Sequence, residues 1–121
     1  MEKPHKKLDV WKLAMDLVIE LYKVTAKFPK EERFSLTDQI RRSAVSIPSN
    51  IAEGAARNTR KEFISFLHIA QGSLSELDTQ MELAKRLGYI DGGCWEDIDA
   101  LMERIDRMLS GLIRYQKSPD A

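Results

Sequence analysis

Seven apolar residues, Phe63, Leu67, Ala70, Leu74, Leu77, Met81 and Ala84, recur at intervals of 4, 3, 4, 3, 4 and 3. A repeat of this period lines one face of a helix, whereas a strand alternates every second residue. Such a chain must fold by packing helix on helix. The helix is expected to run from a cap at Asn58 or Thr59 to about Leu87. Thr59 and Glu62 stand at capping-box spacing, and Gly88 suits the position just past the last turn. A second heptad, Ile98, Leu101, Ile105, Met108, Leu112 and Tyr115, predicts another helix from about Trp95 to Gln116. Gly92-Gly93 reads as the turn before it.

Two more helices precede these. Asp9 is a candidate N-cap for the first, from about Val10 to Lys27, with Trp11, Ala14, Val18 and Leu21 on its apolar side. Phe28-Pro29 should end it, because the residue before proline avoids the helical region. The next is expected from Ser35 to Ala56, with Leu36, Ile40, Ala44, Ile47 and Ile51 recurring at 4, 4, 3 and 4. Pro48 lies inside it, lacks an N–H and clashes with the carbonyl of Ala44, so a kink is expected there. Residues 1–8 form a polar arm and 117–121 a polar tail. The connections are short and nothing divides the chain. The expectation is one all-α domain over residues 1–121, an antiparallel up-down-up-down four-helix bundle with its second helix kinked at Pro48.

Lys and Arg total 19 and so do Asp and Glu, which leaves no excess positive charge for bulk binding to phosphates. No apolar run approaches the ~18 residues of a membrane span, so no membrane partner is expected. The polar start, Met1-Glu2-Lys3-Pro4-His5, lacks the apolar stretch of a signal peptide. Cys94 is the single cysteine, which excludes an intrachain disulfide and a cysteine zinc site. These features together predict a cytoplasmic protein.

Catalytic signals are sparse. His5 sits in the arm and His68 stands alone on the third helix, with no Glu-x-x-His or His-x-x-x-His spacing. Cys94 opens the fourth helix, where the dipole is expected to lower its pKa somewhat, yet no matching base is evident. No glycine-rich phosphate loop is present. Neither a catalytic constellation, nor a cofactor, nor a metal site is expected, and the chain reads as a non-enzyme.

The unusual stretch lies around Pro48. Gln39, Arg42, Ser46, Ser49 (beside Asn50), Glu53 and Arg57 form one flank of the second helix, spaced 3, 4, 3, 4 and 4. An ordinary solvent face would carry Lys/Glu pairs; this one carries hydroxyls, amides and isolated charges. Two readings stand. The serines and Asn50 can satisfy carbonyls that Pro48 frees, or the flank is a polar seam facing another subunit or a ligand. Gly72, Ser73 and Glu76 offer a matching surface on the third helix, with Glu76 placed to pair with Arg41 or Arg42. A mid-helix glycine costs ~1 kcal/mol relative to alanine, so Gly72 suggests close helix contact. A lone carboxylate, Glu53, with Ser46 and Asn50 is a weak basis for a ligand or catalytic site.

Apolar residues also exceed what one bundle face needs. Ile64, Phe66 and Ile69 flank the third-helix heptad, and Val45, Met102, Leu109 and Ile113 lie off the main stripes. A second contact surface, hence self-association, is expected. Positive charge clusters in the arm at Lys3, Lys6 and Lys7, and at the corner between the second and third helices at Arg57, Arg60 and Lys61. Residues 89–121 hold four basic and seven acidic residues. A ring of copies would multiply each basic patch and create a local phosphate-binding surface through Lys6, Lys7, Arg57, Arg60 and Lys61.

The segment Gln39-Ile-Arg-Arg-Ser-Ala-Val-Ser-Ile-Pro-Ser-Asn-Ile-Ala-Glu-Gly54 resembles a bacterial four-helix-bundle family. That family takes its name from proteins encoded in intervening sequences of 23S ribosomal RNA genes. It includes relatives of the accessory variability proteins of diversity-generating retroelements. Leu-Asp-Val-Trp at 8–11, Phe28-Pro29, the run from Phe66 to Leu77 and Leu87-Gly-Tyr-Ile90 extend the likeness over nearly the whole chain. The resemblance implies a homo-oligomeric ring, most simply a pentamer, with no enzyme activity. It further implies RNA, or a protein that processes nucleic acid, as a partner. The retroelement members resemble basic scaffolds; this chain departs from them in being neutral.

Overall fold

The computed structural model describes residues 3–119, which form four α-helices and no strand. α1 spans Asp9–Thr25, α2 Leu36–Ala55, α3 Arg60–Arg86 and α4 Gly92–Lys117. Short 3-10 helices cover Pro4–Lys7 and Lys30–Glu32. Each α-helix packs on the next, and α4 also meets α1. Gly54 of α2 lies against Phe63 and Phe66 of α3, while Ser46 meets Ser73. Contacts that step back along α2 as they step forward along α3 show that this pair runs in opposite directions.

The inner faces supply the core. Leu17 and Leu21 come from α1, Ile40, Ile47 and Ile51 from α2, Leu67, Leu77 and Met81 from α3, and Ile105 and Leu109 from α4; all are fully buried. Burying a side chain of this size stabilises the fold by roughly 1.5–3 kcal/mol. The α3 heptad is buried from Leu67 through Ala84, with Phe63 half-buried at its start. On α4 the buried line differs from the expected one. Ile98, Met102, Ile105, Leu109 and Ile113 face inward, Leu101, Met108 and Leu112 are half-buried, and Tyr115 is 58% exposed. Met102, Leu109 and Ile113 therefore belong to the core rather than to a second surface.

The helix ends show where local signals held and where packing overrode them. Thr59 Oγ1 accepts from the Glu62 N–H (3.1 Å) and caps α3. After α3, Gly88 takes φ +79°, the Tyr89 N–H reaches the Ala84 carbonyl (2.9 Å) and the Gly88 N–H reaches Lys85 (3.0 Å). This double bond pattern closes the helix around a residue that needs glycine. Gly92 and Gly93 lie inside α4, not in a turn before it. Asp91 Oδ1 accepts from the Cys94 N–H (2.7 Å), and that cap starts the helix earlier than the glycines suggested. Asp9 is the first helical residue of α1 rather than its cap, since Leu8 holds that position without a side-chain bond. There its charge still favours the positive helix end.

Within the arm, Pro4–Lys7 form a 3-10 helix that rests on α1 and α2, with the His5 ring edge-on to Trp11 at 5.0 Å. At the other end, Glu32 accepts from the hydroxyls of Ser35 (2.6 Å) and Tyr89 (2.7 Å). Those two bonds, Ser35 first, lower the Glu32 pKa, and the same carboxylate raises that of Tyr89.

Candidate functional site

α2 and α3 approach closely because their facing residues are small. A Cβ on Gly54 would stand 2.7 Å from Phe66 Cβ and 2.9 Å from Phe63 Cδ1. Farther along, the Ser46 and Ser73 hydroxyls bond directly at 2.8 Å. On the outer side of this pair runs a groove of about 310 Å³ that brings together Gln39, Arg42, Ser46, Ser73 and Glu76. Three residues of the spaced flank thus share one surface with Ser73 and Glu76 of the expected matching face. Asn50 stands beside it, and its Nδ2 donates to the Ser46 carbonyl (2.8 Å) and Oγ (3.0 Å). The amide serves Ser46 rather than Ala44, whose carbonyl lies opposite the missing Pro48 N–H.

The remaining seam residues part company. α2 continues through Pro48 as one helix, and Pro48 is buried on the other side, lining an apolar groove with His5, Trp11, Met15 and Val45. Glu53 pairs with Arg57 at 3.0 Å. Arg42 binds Asp38 of its own helix at 3.0 Å instead of Glu76. Arg41 turns to α1, where its Nε donates to Thr25 Oγ1 (2.9 Å) and its Nη2 to the Tyr22 carbonyl (3.3 Å). Gly72 is exposed, and a Cβ there meets nothing within 4 Å. Close contact inside the chain therefore falls on Gly54 rather than on Gly72.

The basic residues collect at one end of the bundle. Lys6 and Lys7 lie in the first 3-10 helix, and Arg57, Arg60 and Lys61 occupy the α2–α3 corner; all are exposed. Arg60 Nη1 donates to the Ser118 carbonyl (3.1 Å), which brings the close of α4, with Arg114 and Lys117, to the same end. Arg57 is already engaged, by Glu53, by Glu62 at 4.0 Å and by the Phe66 ring at 4.8 Å.

An acidic groove of about 470 Å³ that no sequence spacing marks lies between α3 and α4, where Asp78, Asp99, Glu103 and Asp106 converge. Partial burial, then the charges of Asp99 and Glu82, raises the Asp78 pKa. The only signal for this groove was the acidic count of the fourth helix, which does not say which faces meet. Burial, then Asp91 and Asp97, raises the Cys94 pKa, opposite to the expected dipole effect, so the thiol is a weak nucleophile. His68 is exposed. Among the described residues no three His, Cys, Asp or Glu side chains are grouped as metal ligands. No helix among them is long and apolar enough to cross a membrane.

The fold and its grooves define a small all-helical protein built on four helices, with polar seams on its outer faces. The chain belongs to the 23S rRNA-intervening sequence protein family, whose model matches residues 6–111. It is similar to a crystal structure of a protein with unknown function from the S23 ribosomal protein family of Bacteroides thetaiotaomicron. The two are 27% identical with a TM-score of 0.81, over 87% of this chain and 95% of that one. No curated protein matches this chain.

Proposed function

We propose that this protein is a non-enzymatic scaffold that works as an assembly of identical copies, most simply a ring of five in the cytoplasm. Its partner is RNA or a nucleic-acid-processing protein. The observation that carries the reading is the outer face of α3. Ile69 (50% exposed), Gly72, Ser73 and Glu76 follow one another at helical spacing beside the α2 seam. Open space over Gly72 lets a neighbouring backbone come close, and Ile69 supplies apolar area to bury. The five-fold closure rests on the family resemblance. Light scattering tests the interface: Gly72→Leu and Arg42→Glu are each expected to reduce the assembly to smaller species. An unchanged mass in both would remove the seam from the interface.

RNA contact is assigned to Lys6, Lys7, Arg57, Arg60 and Lys61. Binding through them should weaken with salt and with substitution to Glu. Insensitivity to both would overturn it. A second reading, a ring that binds only protein, is favoured by the engagement of Arg57 and Arg60 within the chain. It predicts no RNA retained on the assembled protein at low salt.

A further inference from the structure

The end of the bundle remote from the basic corner holds a cleft of about 400 Å³ where α1 finishes and α2 begins. Lys30, Arg33 and Arg41 line it, and no carboxylate does. None of the three cations has an ion-pair partner among the described residues, whereas five other basic residues pair with Asp or Glu. Unpaired cations gathered in a concavity are unusual, because like charges repel unless an anion joins them.

A hydroxyl gives an independent indication. Thr37 lines the same cleft, is only 6% exposed, and its hydroxyl bonds no other described residue. The hydroxyl keeps access to solvent, since Gln80 Oε1 is the one fully buried side-chain polar atom without a partner among the described residues, so a ligand in the cleft can reach it. Thr25, equally buried, is satisfied: its hydroxyl donates to the Leu21 carbonyl (2.7 Å) and accepts from Arg41. Thr37 lies in the first turn of α2, whose positive end also faces this region. Arg41 is held in place by its bonds to α1 and by the Tyr22 ring at 4.5 Å, and Nη1 takes no part in those bonds.

We propose that this cleft binds a phosphomonoester of about nucleotide size. A phosphate monoester carries close to two negative charges and three acceptor oxygens. That suits three cations and one hydroxyl better than a carboxylate, which brings one charge and two oxygens. The volume falls in the range of small-molecule pockets, and Phe28 with Pro29 provides an apolar wall for the organic part. The site lies at the opposite end of the bundle from the residues assigned to RNA, so it stands or falls separately from the scaffold reading.

Calorimetric titration of the full chain at low salt with inorganic phosphate, adenosine 5′-monophosphate and adenosine tests it. The nucleotide is expected to bind at least about tenfold more tightly than phosphate, and adenosine not to bind. Lys30→Glu with Arg33→Glu should weaken nucleotide binding at least about tenfold, and Thr37→Val several-fold. The urea midpoint of the charge variant should stay unchanged, because neither side chain is buried. Arg41 is left intact, since it also anchors α1. Equal affinities for phosphate and nucleotide would overturn the organic part and leave a free anion as the ligand. Absence of binding by both at millimolar concentration, or binding that survives the double charge reversal, would overturn the site.

Discussion

The two sides of α3 are built on opposite terms. Toward α2 the contacts are small and neutral: Gly54 under Phe63 and Phe66, and Ser46 hydroxyl to Ser73 hydroxyl. Toward α4 the outer edge is charged, with Asp78, Asp99, Glu103 and Asp106 around an open groove. The polar tie there is Gln71, whose Nε2 reaches Ser110 Oγ (2.9 Å) and Asp106 (3.3 Å). Short side chains let backbones close and leave little room for error. The carboxylates repel one another across an open, solvated groove, so that flank tolerates change.

One added methyl group at Gly54 and one at Gly72 should act very differently. Gly54→Ala is expected to destabilise by about 1–3 kcal/mol in urea unfolding, because the new Cβ overlaps Phe66 Cβ and the wall there cannot retreat. A loss of a few tenths would mean that the α2–α3 contact yields more than its geometry implies. In the dissociated chain Gly72→Ala should act in the opposite direction, stabilising by about 0.5–1 kcal/mol, because the methyl meets nothing inside the chain and the helix gains propensity. A destabilisation seen only at concentrations where the protein assembles would place a neighbouring copy against Gly72, as the proposed interface requires.

The smallest effect belongs to the acidic side. Asp78→Asn should stabilise by a few tenths of a kcal/mol at pH 7, the gain being small because the site is well solvated. The sign follows from the raised pKa: the folded protein holds the Asp78 proton more tightly than the unfolded chain. Asp78 therefore supports folding fully below its unfolded pKa, and that support is lost as pH rises through its folded value. The advantage of the variant should fade as pH falls toward about 3, read from paired thermal melts. An advantage that persists in acid would show that charge is not its origin.

The α3 stripe was legible because a heptad fixes one face and the buried apolar residues of α3 follow it. α4 was misread for the reverse reason. Leu101, Met108 and Leu112 run beside Met102, Leu109 and Ile113, so two adjacent lines fit the same period. Packing against α1 and α3 chose the second line. Gly92-Gly93 read as a turn because glycine is a helix breaker in isolation, yet a cap from Asp91 carries the helix through both. Of the candidate site, Gln39, Arg42, Ser46, Ser73 and Glu76 do share one groove. Pro48 turned inward, and Glu53 stayed with Arg57.

Sequence alone determined that this chain is helical, that α3 closes at Gly88, that α1 ends before Phe28-Pro29 (it stops at Thr25, two residues short of the expected Lys27), and which face of α3 is buried. Those properties follow from φ/ψ preferences and a 3.6-residue period, which act within a few residues. Tertiary structure decided which glycine is crowded, which arginine crosses to α1, and which charges are left without partners. Those depend on distances between helices tens of residues apart, and on side-chain volumes that no local pattern encodes.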